Sequence, residues 1–499
     1  MEYDCIIIGA GVGGLSAGLK LSTLGKKILL LEKQPVPGGF ATTFSRKGFI
    51  FESAIHCVDE LSPGGWVRGF LEKHNIDKKI EFIELKDFAR IIYPGHDFVA
   101  DFNPDHFLQL LVSKFPQEEA GLHKLFSAFD KFFRQFDRFS ESPLPDVLNL
   151  LISPFVYPFI INTSTCSIGQ FVRRYISDKK LNAIITDLWR FMGLPPDSLS
   201  ALYFLIVFRG YYYHHTAYIK GGFGRLFQAM VEEIGENGGQ SRFNTAVKKI
   251  ITQKGRRVKS VITDQGEEFR AKTIISNANA IDTLTEFIDQ PLLASRYRKK
   301  LSAMEKSVSA FQIYLGLDQP AQNFGMSHHR ISVNPGYDHR VSFDAALRQD
   351  YSHCLLELTD HSQLDPSLVP KGKGSLVIMT YDLYANWANL NPQDYKKRKM
   401  EVVQSLIKCS EKYLPGLSKH IEVLEAATPR TMQRYVSSPQ GAIYGFSQTI
   451  AQAGINRLSQ KTAIHGLFLT GGWTFPGGGV HACFVSGESA ADLALKLLK

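Results

Sequence analysis

The chain has 499 residues, of which 44% are hydrophobic and 21% charged, a balance that excludes a disordered chain and allows more than one domain around a sizeable core. Lysine and arginine outnumber aspartate and glutamate by 57 to 48. The excess is spread along the chain apart from Arg296–Lys300 and Lys396–Lys399. No nucleic-acid module accompanies it, so nucleic acid is set aside as a partner and an anionic membrane surface is kept. The six cysteines show no CxxC or metal-ligand spacing, which predicts a reducing compartment and no metal site. No stretch reaches ~18 uninterrupted apolar residues, so no transmembrane helix is expected. The acidic start "MEYDC" has no basic leader, and the expected location is cytoplasmic, with peripheral membrane contact.

The first thirty-odd residues read as one βαβ unit. Cys5–Ile8 is a short buried-strand run, Gly9, Gly11 and Gly14 follow at GxGxxG spacing, and Leu15, Leu19 and Leu21 mark the apolar side of a helix that ends at Gly25. Ile28–Leu31 forms a second strand finishing on Glu32. Glycines there permit a tight turn and close approach of a pyrophosphate to the helix N-terminus, and an acidic residue about 20 positions on accepts hydrogen bonds from a ribose. A second fingerprint is absent: "KGKGSLVIM" at Lys371–Met379 runs loop to strand. One dinucleotide site is therefore expected, and its position at the N-terminus suits FAD.

Next come aromatic-rich segments predicted to be helical. In "LHKLFSAFDKFFRQFDRF" Phe126, Phe129, Phe133, Phe136 and Phe139 fall near one face, as helical spacing requires. Leu144–Asn162 is apolar but interrupted by Pro154 and Pro158, and Leu199–His215 ends in a Tyr/His cluster. These read either as core helices or as the wall of a tunnel for a long apolar ligand, with Pro145–Ile161 as the candidate membrane contact. In Tyr218–Ala280, Gly221, Gly222 and Gly224 open a helix, three alternating segments follow as an antiparallel meander, and "TIISNANA" delivers Asn277 to a site. Residues 281–424 carry further alternating runs expected to form a sheet over the cofactor. The chain closes on "LFLTGGWTFPGGGVHACFVSGESAADLALKLL", a glycine cluster leading into a helix.

Four blocks resemble the FAD-dependent polyene oxidoreductases, the family of bacterial phytoene desaturases, plant-type carotenoid cis-trans isomerases and retinol saturases. They are "DCIIIGAGVGGLSAGLKLSTLGKKILLLEK", "PGGFATTFSRKGFIFESAIH", Tyr218–Ala280, and "ATPRTMQRYVSSPQGAIYGFSQT" with the C-terminal glycine block. The resemblance implies an α/β fold of flavin amine oxidase-like architecture. A Rossmann-like FAD-binding domain would be built from residues 1–102, 214–280 and 425–499. A substrate domain of mixed sheet plus helical insertion would take 103–213 and 281–424. It implies that Gly9, Ala10, Gly11 and Gly14 hold the pyrophosphate and Glu32 the ribose. Gly38 and Gly39 would lie beside the pyrophosphate and flavin, with the Val247 backbone at the adenine. Gly471, Gly472, Gly479 and Val480 would stand at the phosphate and isoalloxazine side. Phe40 stands where desaturases usually have Arg, Ala54 where Gly is common, and His481 where small residues are frequent, a pattern that leans toward the saturase–isomerase branch.

No Ser-His-Asp arrangement or metal cluster is legible, and Ser327–His329 reads as a loop, so the reactive centre is the flavin and the protein supplies placement and electrostatics. His56, Tyr444 and His481 are the candidates for proton transfer, each with a plain wall role as the alternative. The leading expectation is saturation or desaturation of a carotenoid- or retinoid-like polyene. Cis-trans isomerisation by reduced FAD is the alternative, followed by an amine oxidase-like enzyme and a non-catalytic flavin- or lipid-binding protein. The electron partner is expected to be a quinone, oxygen or a reductase.

Overall fold

The computed structural model describes residues 2–142, 152–214, 216–254 and 256–498. Strand β1 (Glu2–Ile8) and strand β2 (Ile28–Leu31) flank helix α1 (Val12–Thr23), the unit expected from the first run of residues. Every residue from Cys5 to Ile8 and from Ile28 to Leu31 is buried, because parallel strands at the middle of a sheet are covered on both faces. The Leu24 and Gly25 amides bond back to the Lys20 and Ser22 carbonyls and end α1.

These strands belong to a seven-stranded sheet. Its order runs Gln240–Arg242, β2, β1, Glu268–Ser276, Arg257–Thr263, Val247–Gln253, with Leu467–Leu469 pairing on Glu268–Ser276. The expected meander is present as Val247–Gln253, Arg257–Thr263 and Glu268–Ser276. It is not a separate small sheet, because Glu268–Ser276 also pairs in parallel with β1. On one face α1 packs on the C-terminal helix Val480–Leu495. A side-chain carbon at Gly487 would sit 2.3 Å from the Gly13 carbonyl oxygen, so that residue is a glycine for helix-on-helix contact.

A second seven-stranded sheet runs Ile421–Ala427, Ser309–Leu317, Gly374–Asp382, Leu356–Thr359, Arg330–Val333, Ala89–Tyr93, His96–Ala100. All nine residues of Ser309–Leu317 and all nine of Gly374–Asp382 are buried, so both faces of this sheet are covered. One face rests on the hairpin Thr43–Arg46/Phe49–Glu52. There the Phe49 ring lies 2.9 Å from where a Gly316 side chain would begin, and the Tyr314 hydroxyl donates to the Ser53 carbonyl at 2.7 Å. The sheets divide the chain elsewhere than at residues 102 and 424, since Ala89–Ala100 and Ile421–Ala427 pair within the second sheet.

Helices Glu119–Ser140 and Ala201–Tyr213 form the outer layer. Phe126, Phe129 and Phe133 of the expected stripe are buried, with Phe132 joining them, whereas Phe136 and Phe139 are half-buried. Phe129 meets Phe171 and Phe208 at ring separations of 6.2 and 5.2 Å. Each such ring contributes roughly 1.5–3 kcal/mol by burial. Of the Pro145–Ile161 segment, residues 145–151 lie outside the described residues. The rest exposes Phe155, Val156 and Ile161. Among the described residues no helix is long and apolar enough to cross a membrane.

A closed charge network pins the second sheet to the helical layer. Arg330 and Arg190, both buried, reach the Glu357 carboxylate, and Arg190 also binds Asp187 at 2.7 Å and Asn334 at 2.6 Å. The Arg330 guanidinium lies 4.1 Å from the Phe191 ring centre and 4.8 Å from that of Phe88. Burial opposes ionisation of Glu357, but the two guanidiniums prevail and hold its pKa at about 2. This lowered pKa gives stability that is complete above the ordinary value near 4.5 and is lost as pH falls through about 2. Glu357→Gln leaves two buried cations undercompensated and is expected to cost about 3–5 kcal/mol near neutral pH. Urea unfolding would measure it, with the gap to wild type narrowing in strong acid.

Candidate functional site at the strand ends

Four parallel strands of the first sheet finish in one row. Ile8 is level with Leu31 and with Ser276, and Ser276 is level with Leu469. The next residues along each chain, Gly9, Glu32, Asn277 and Thr470–Gly471, therefore share one edge, the carboxyl end where open α/β sheets place their ligands. Gly9 turns the chain with φ +94°. Helix α1 then starts from Gly11 without a side-chain cap, and the first amide to bond back is that of Leu15. The Gly13 and Gly14 amides have no acceptor among the described residues. At Gly14 a side-chain carbon would lie 2.0 Å from the Gly9 carbonyl oxygen, so any larger residue breaks the turn.

Glu32 is buried, and its two carboxylate oxygens accept the Ala10 and Gln34 amides at 2.6 and 2.8 Å. The carboxylate is thereby fixed across the glycine turn, with further lone pairs for a ligand hydroxyl. The Gly38 amide donates to the Ala10 carbonyl at 2.8 Å and pairs with Gly11, which brings Gly38 and Gly39 against the first glycine turn. Val247 opens its strand two residues after Thr245, whose amide bonds the Glu32 carbonyl at 2.8 Å. Asn277 joins the two ends of the chain. Its Nδ2 is 3.5 Å from the Gly9 carbonyl oxygen, and its Oδ1 lies 2.4 Å from where a Gly471 side chain would begin.

The C-terminal cluster divides by role. Gly477 and Gly478 lie against protein: a side chain at Gly478 would meet the Tyr444 carbonyl oxygen at 2.7 Å, and one at Gly477 the Gln448 side chain. A side-chain carbon at Gly479 would meet the Tyr203 hydroxyl at 3.9 Å, an ordinary contact, but its φ is +106°, and it starts the helix Val480–Leu495 without a side-chain cap. The Cys483 amide is the first to bond back. Two uncapped helix N-termini, a buried carboxylate and backbone with room for a ligand thus fit an anionic dinucleotide on the donor chemistry alone.

The family model for flavin-containing amine oxidoreductases matches residues 12–495. The chain belongs to that family. Among its curated relatives, the chloroplastic prolycopene isomerase of Daucus carota is 28% identical, over 99% of this chain and 81% of its own. The neurosporene-forming phytoene desaturase of Rhodobacter capsulatus is 24% identical, over 98% of this chain and 93% of its own. The all-trans-retinol 13,14-reductase of Danio rerio is 24% identical, over 94% and 82%. A solved oxidoreductase from Methanosarcina mazei shares the fold with a TM-score of 0.66 and 18% identity, covering 98% of this chain and 99% of that one. Like the family, this chain is a flavin-dependent enzyme of amine oxidase-like architecture.

Within this amine oxidoreductase fold the three proton-transfer candidates differ in state. His56 stacks on His361 at 5.9 Å, and burial, reinforced by the charge of Arg330, drives its pKa to about 3, so it is a neutral imidazole. Burial pushes the Tyr444 phenol well above its ordinary value. The charge of Arg330 is felt at His56, Tyr211 and Tyr444 alike. His481 is different. Its Nδ1 lies 3.0 Å from Asp59 Oδ2, with the Trp66 ring 5.9 Å away. Burial favours its neutral form, but Asp59, with Glu60 behind it, wins and raises its pKa above 6.5. A cation in the first turn of a helix opposes the helix dipole, so Asp59 is what makes that position tenable. A cleft of about 450 Å³ is lined by Gly193, Ser307, Val308 and Phe343, and a side-chain carbon at Gly193 would lie 3.0 Å from the Tyr444 ring.

Two residues were not singled out by sequence. Asp59 is 422 positions from His481 and has no local pattern to mark it. Arg457, in the plain-looking "GINRLSQ", clamps two loops: its guanidinium donates to the carbonyls of Phe446 at 2.6 Å, Ser447 at 3.2 Å, Gly472 at 2.7 Å and Tyr444 at 3.4 Å.

Asp59→Asn removes the charge that sustains His481 and leaves burial, so the imidazole pKa is expected to drop below 6.5, read by NMR titration. Because the native pKa is raised, the pair's contribution is complete below 6.5 and fades as pH rises through the folded value. The stability gap between wild type and Asp59→Asn should therefore shrink from acid to alkaline pH.

Proposed function

We propose that this flavoenzyme binds FAD and acts on carbon–carbon double bonds of a long apolar polyene of carotenoid or retinoid type, by saturation or desaturation. The observation that carries the reading is that the uncapped helix Val480–Leu495, which completes the dinucleotide-fitting site, follows Gly478, whose carbonyl accepts from Tyr203 of the aromatic helix Ala201–Tyr213 and whose backbone packs on Tyr444. Tyr211 of the same aromatic helix stacks on Phe191 at 5.3 Å. The names of the relatives, an isomerase of prolycopene, a phytoene desaturase and a retinol reductase, agree on polyenes. Bound FAD would supply hydride acceptance or delivery at its N5, and in its reduced form a transient engagement that lets a double bond rotate.

The chain's own residues then divide the work. Gly9, Ala10, Gly11 and Gly14 with the free amides of α1 take the pyrophosphate, Glu32 the ribose, and the Val247 backbone the adenine. Gly38 and Gly39 lie beside the pyrophosphate and flavin, while Gly471, Gly472, Gly479 and Val480 stand at the ring side. His481, held by Asp59, binds a proton more readily than a free imidazole. His56 and Tyr444 stay neutral and act as hydrogen-bonding wall groups. Isomerisation without net redox change is the second reading, favoured by the neutrality of His56 and Tyr444, since rotation about a double bond needs no acid. The electron partner for the redox reading is a quinone, oxygen or a reductase.

Purified protein should show flavin absorbance, and Glu32→Ala should lose it. Incubated oxidised and then reduced with a panel of polyenes, it should give a product lighter by H₂ for desaturation or heavier by H₂ for saturation. Isomerisation leaves the mass unchanged and shifts retention. Flavin-loaded protein that converts no polyene in either state sinks the substrate assignment.

A polyene dissolves in membrane, and peripheral contact is part of the proposal. Phe155, 88% exposed, stands with exposed Val156 and Ile161, and nearby Lys131 lies 5.9 Å from the Phe159 ring centre. Exposed apolar groups near basic side chains suit an anionic bilayer surface. Phe155→Asp is expected to weaken flotation with phosphatidylserine vesicles severalfold while flavin content stays constant. Equal flotation would remove this patch from the contact.

A further inference from the structure

Arg457 is 5% exposed and its guanidinium is bonded to four backbone carbonyls, while its Nε has no acceptor among the described residues. The other buried guanidiniums of the interior, Arg190 and Arg330, are neutralised by Glu357 and Asp187. No carboxylate of the described residues pairs with Arg457. The ionisable groups whose fields reach it are the Tyr203 phenol and the Cys483 thiol, and burial keeps both neutral, the thiol pushed up to about 12. Burial lowers the Arg457 pKa to about 10, so the group remains a cation at neutral pH.

Tying loops together needs hydrogen bonds but not a charge, and a buried cation without a partner is costly. Its position supplies the reason. It grips the Gly472 carbonyl between the expected flavin-side glycines Gly471 and Gly479, and it holds the Tyr444 segment against them. A cation on that carbonyl also polarises the Gly472–Trp473 peptide, whose Trp473 amide has no acceptor among the described residues.

We propose that Arg457 is the counter-charge of the flavin site: it acts through the Gly472–Trp473 peptide to stabilise the negative charge that reduction places on the isoalloxazine. The inference rests on the flavin reading above. Two electrons and one proton entering the ring leave one net negative charge, and a preorganised cation in a dry site lowers its energy without reorganisation. Arg457 is in this sense a positioning residue that sets the potential of the ring.

The test compares wild type, Arg457→Gln and Arg457→Lys, each loaded with FAD, by anaerobic titration with dithionite against a reference dye. In Arg457→Gln the equilibrium constant for reduction is expected to fall at least tenfold, about 30 mV for a two-electron couple. Arg457→Lys, which retains the charge, should stay close to wild type. An unchanged potential in Arg457→Gln overturns the proposal, and so does a Lys variant that falls as far as Gln, which marks a clamp of shape alone. Should the Gln variant fail to fold, wild type decides: a bound potential above that of free FAD supports the counter-charge, and one at or below it refutes it. Wild type that retains no flavin would instead sink the flavin reading itself.

Discussion

The parallel register of four strand ends is the constraint on which the rest of this structure depends. With Ile8, Leu31, Ser276 and Leu469 in one row, every loop that leaves them must cross the same edge. That edge collects a glycine turn, a buried carboxylate, an asparagine and a second glycine turn from four distant parts of the chain. Hydrogen bonding along parallel strands sets this alignment, and since β1 and β2 are apolar and buried on both faces, what a slip of one residue would lose is the level of Gly9 with Glu32 and Asn277.

Around that edge the protein controls charge by burial. Glu357 is kept ionised by two arginines, His56 is kept neutral, and His481 is kept protonatable by one carboxylate. Low dielectric magnifies each of these choices. The result is an interior with aromatic walls, neutral hydrogen-bonding groups and a few fixed charges, suited to a ligand that is itself apolar beside a cofactor that changes charge.

Much of the fold was legible in the residues. The βαβ unit, the meander, the aromatic stripe and the C-terminal helix follow from period and punctuation, which are local properties. The meander's fusion to β1 was not legible, because Glu268–Ser276 reads the same whether it ends a hairpin or centres a sheet. Nor were the places where Ala89–Ala100 and Ile421–Ala427 would pair, since short alternating strands carry no address. At the site, Gly9, Gly11, Gly14 and Glu32 announced themselves by spacing. The C-terminal glycines were visible as a cluster, but their division was hidden: Gly478 and Gly487 are small for packing against Tyr444 and Gly13, while Gly479 is a glycine for its positive φ.

By itself the sequence determined the glycine turn that opens the chain, because its backbone requirement is written in local spacing, while the return of the glycine-rich segment some 460 residues later came only from the resemblance to the family. Tertiary structure alone decided which side chains meet. Asp59 reaches His481, Asn277 spans Gly9 and Gly471, and Arg457 has no carboxylate partner among the described residues, since pairing across hundreds of residues depends on how sheets and helices close and leaves no mark on the residues nearby.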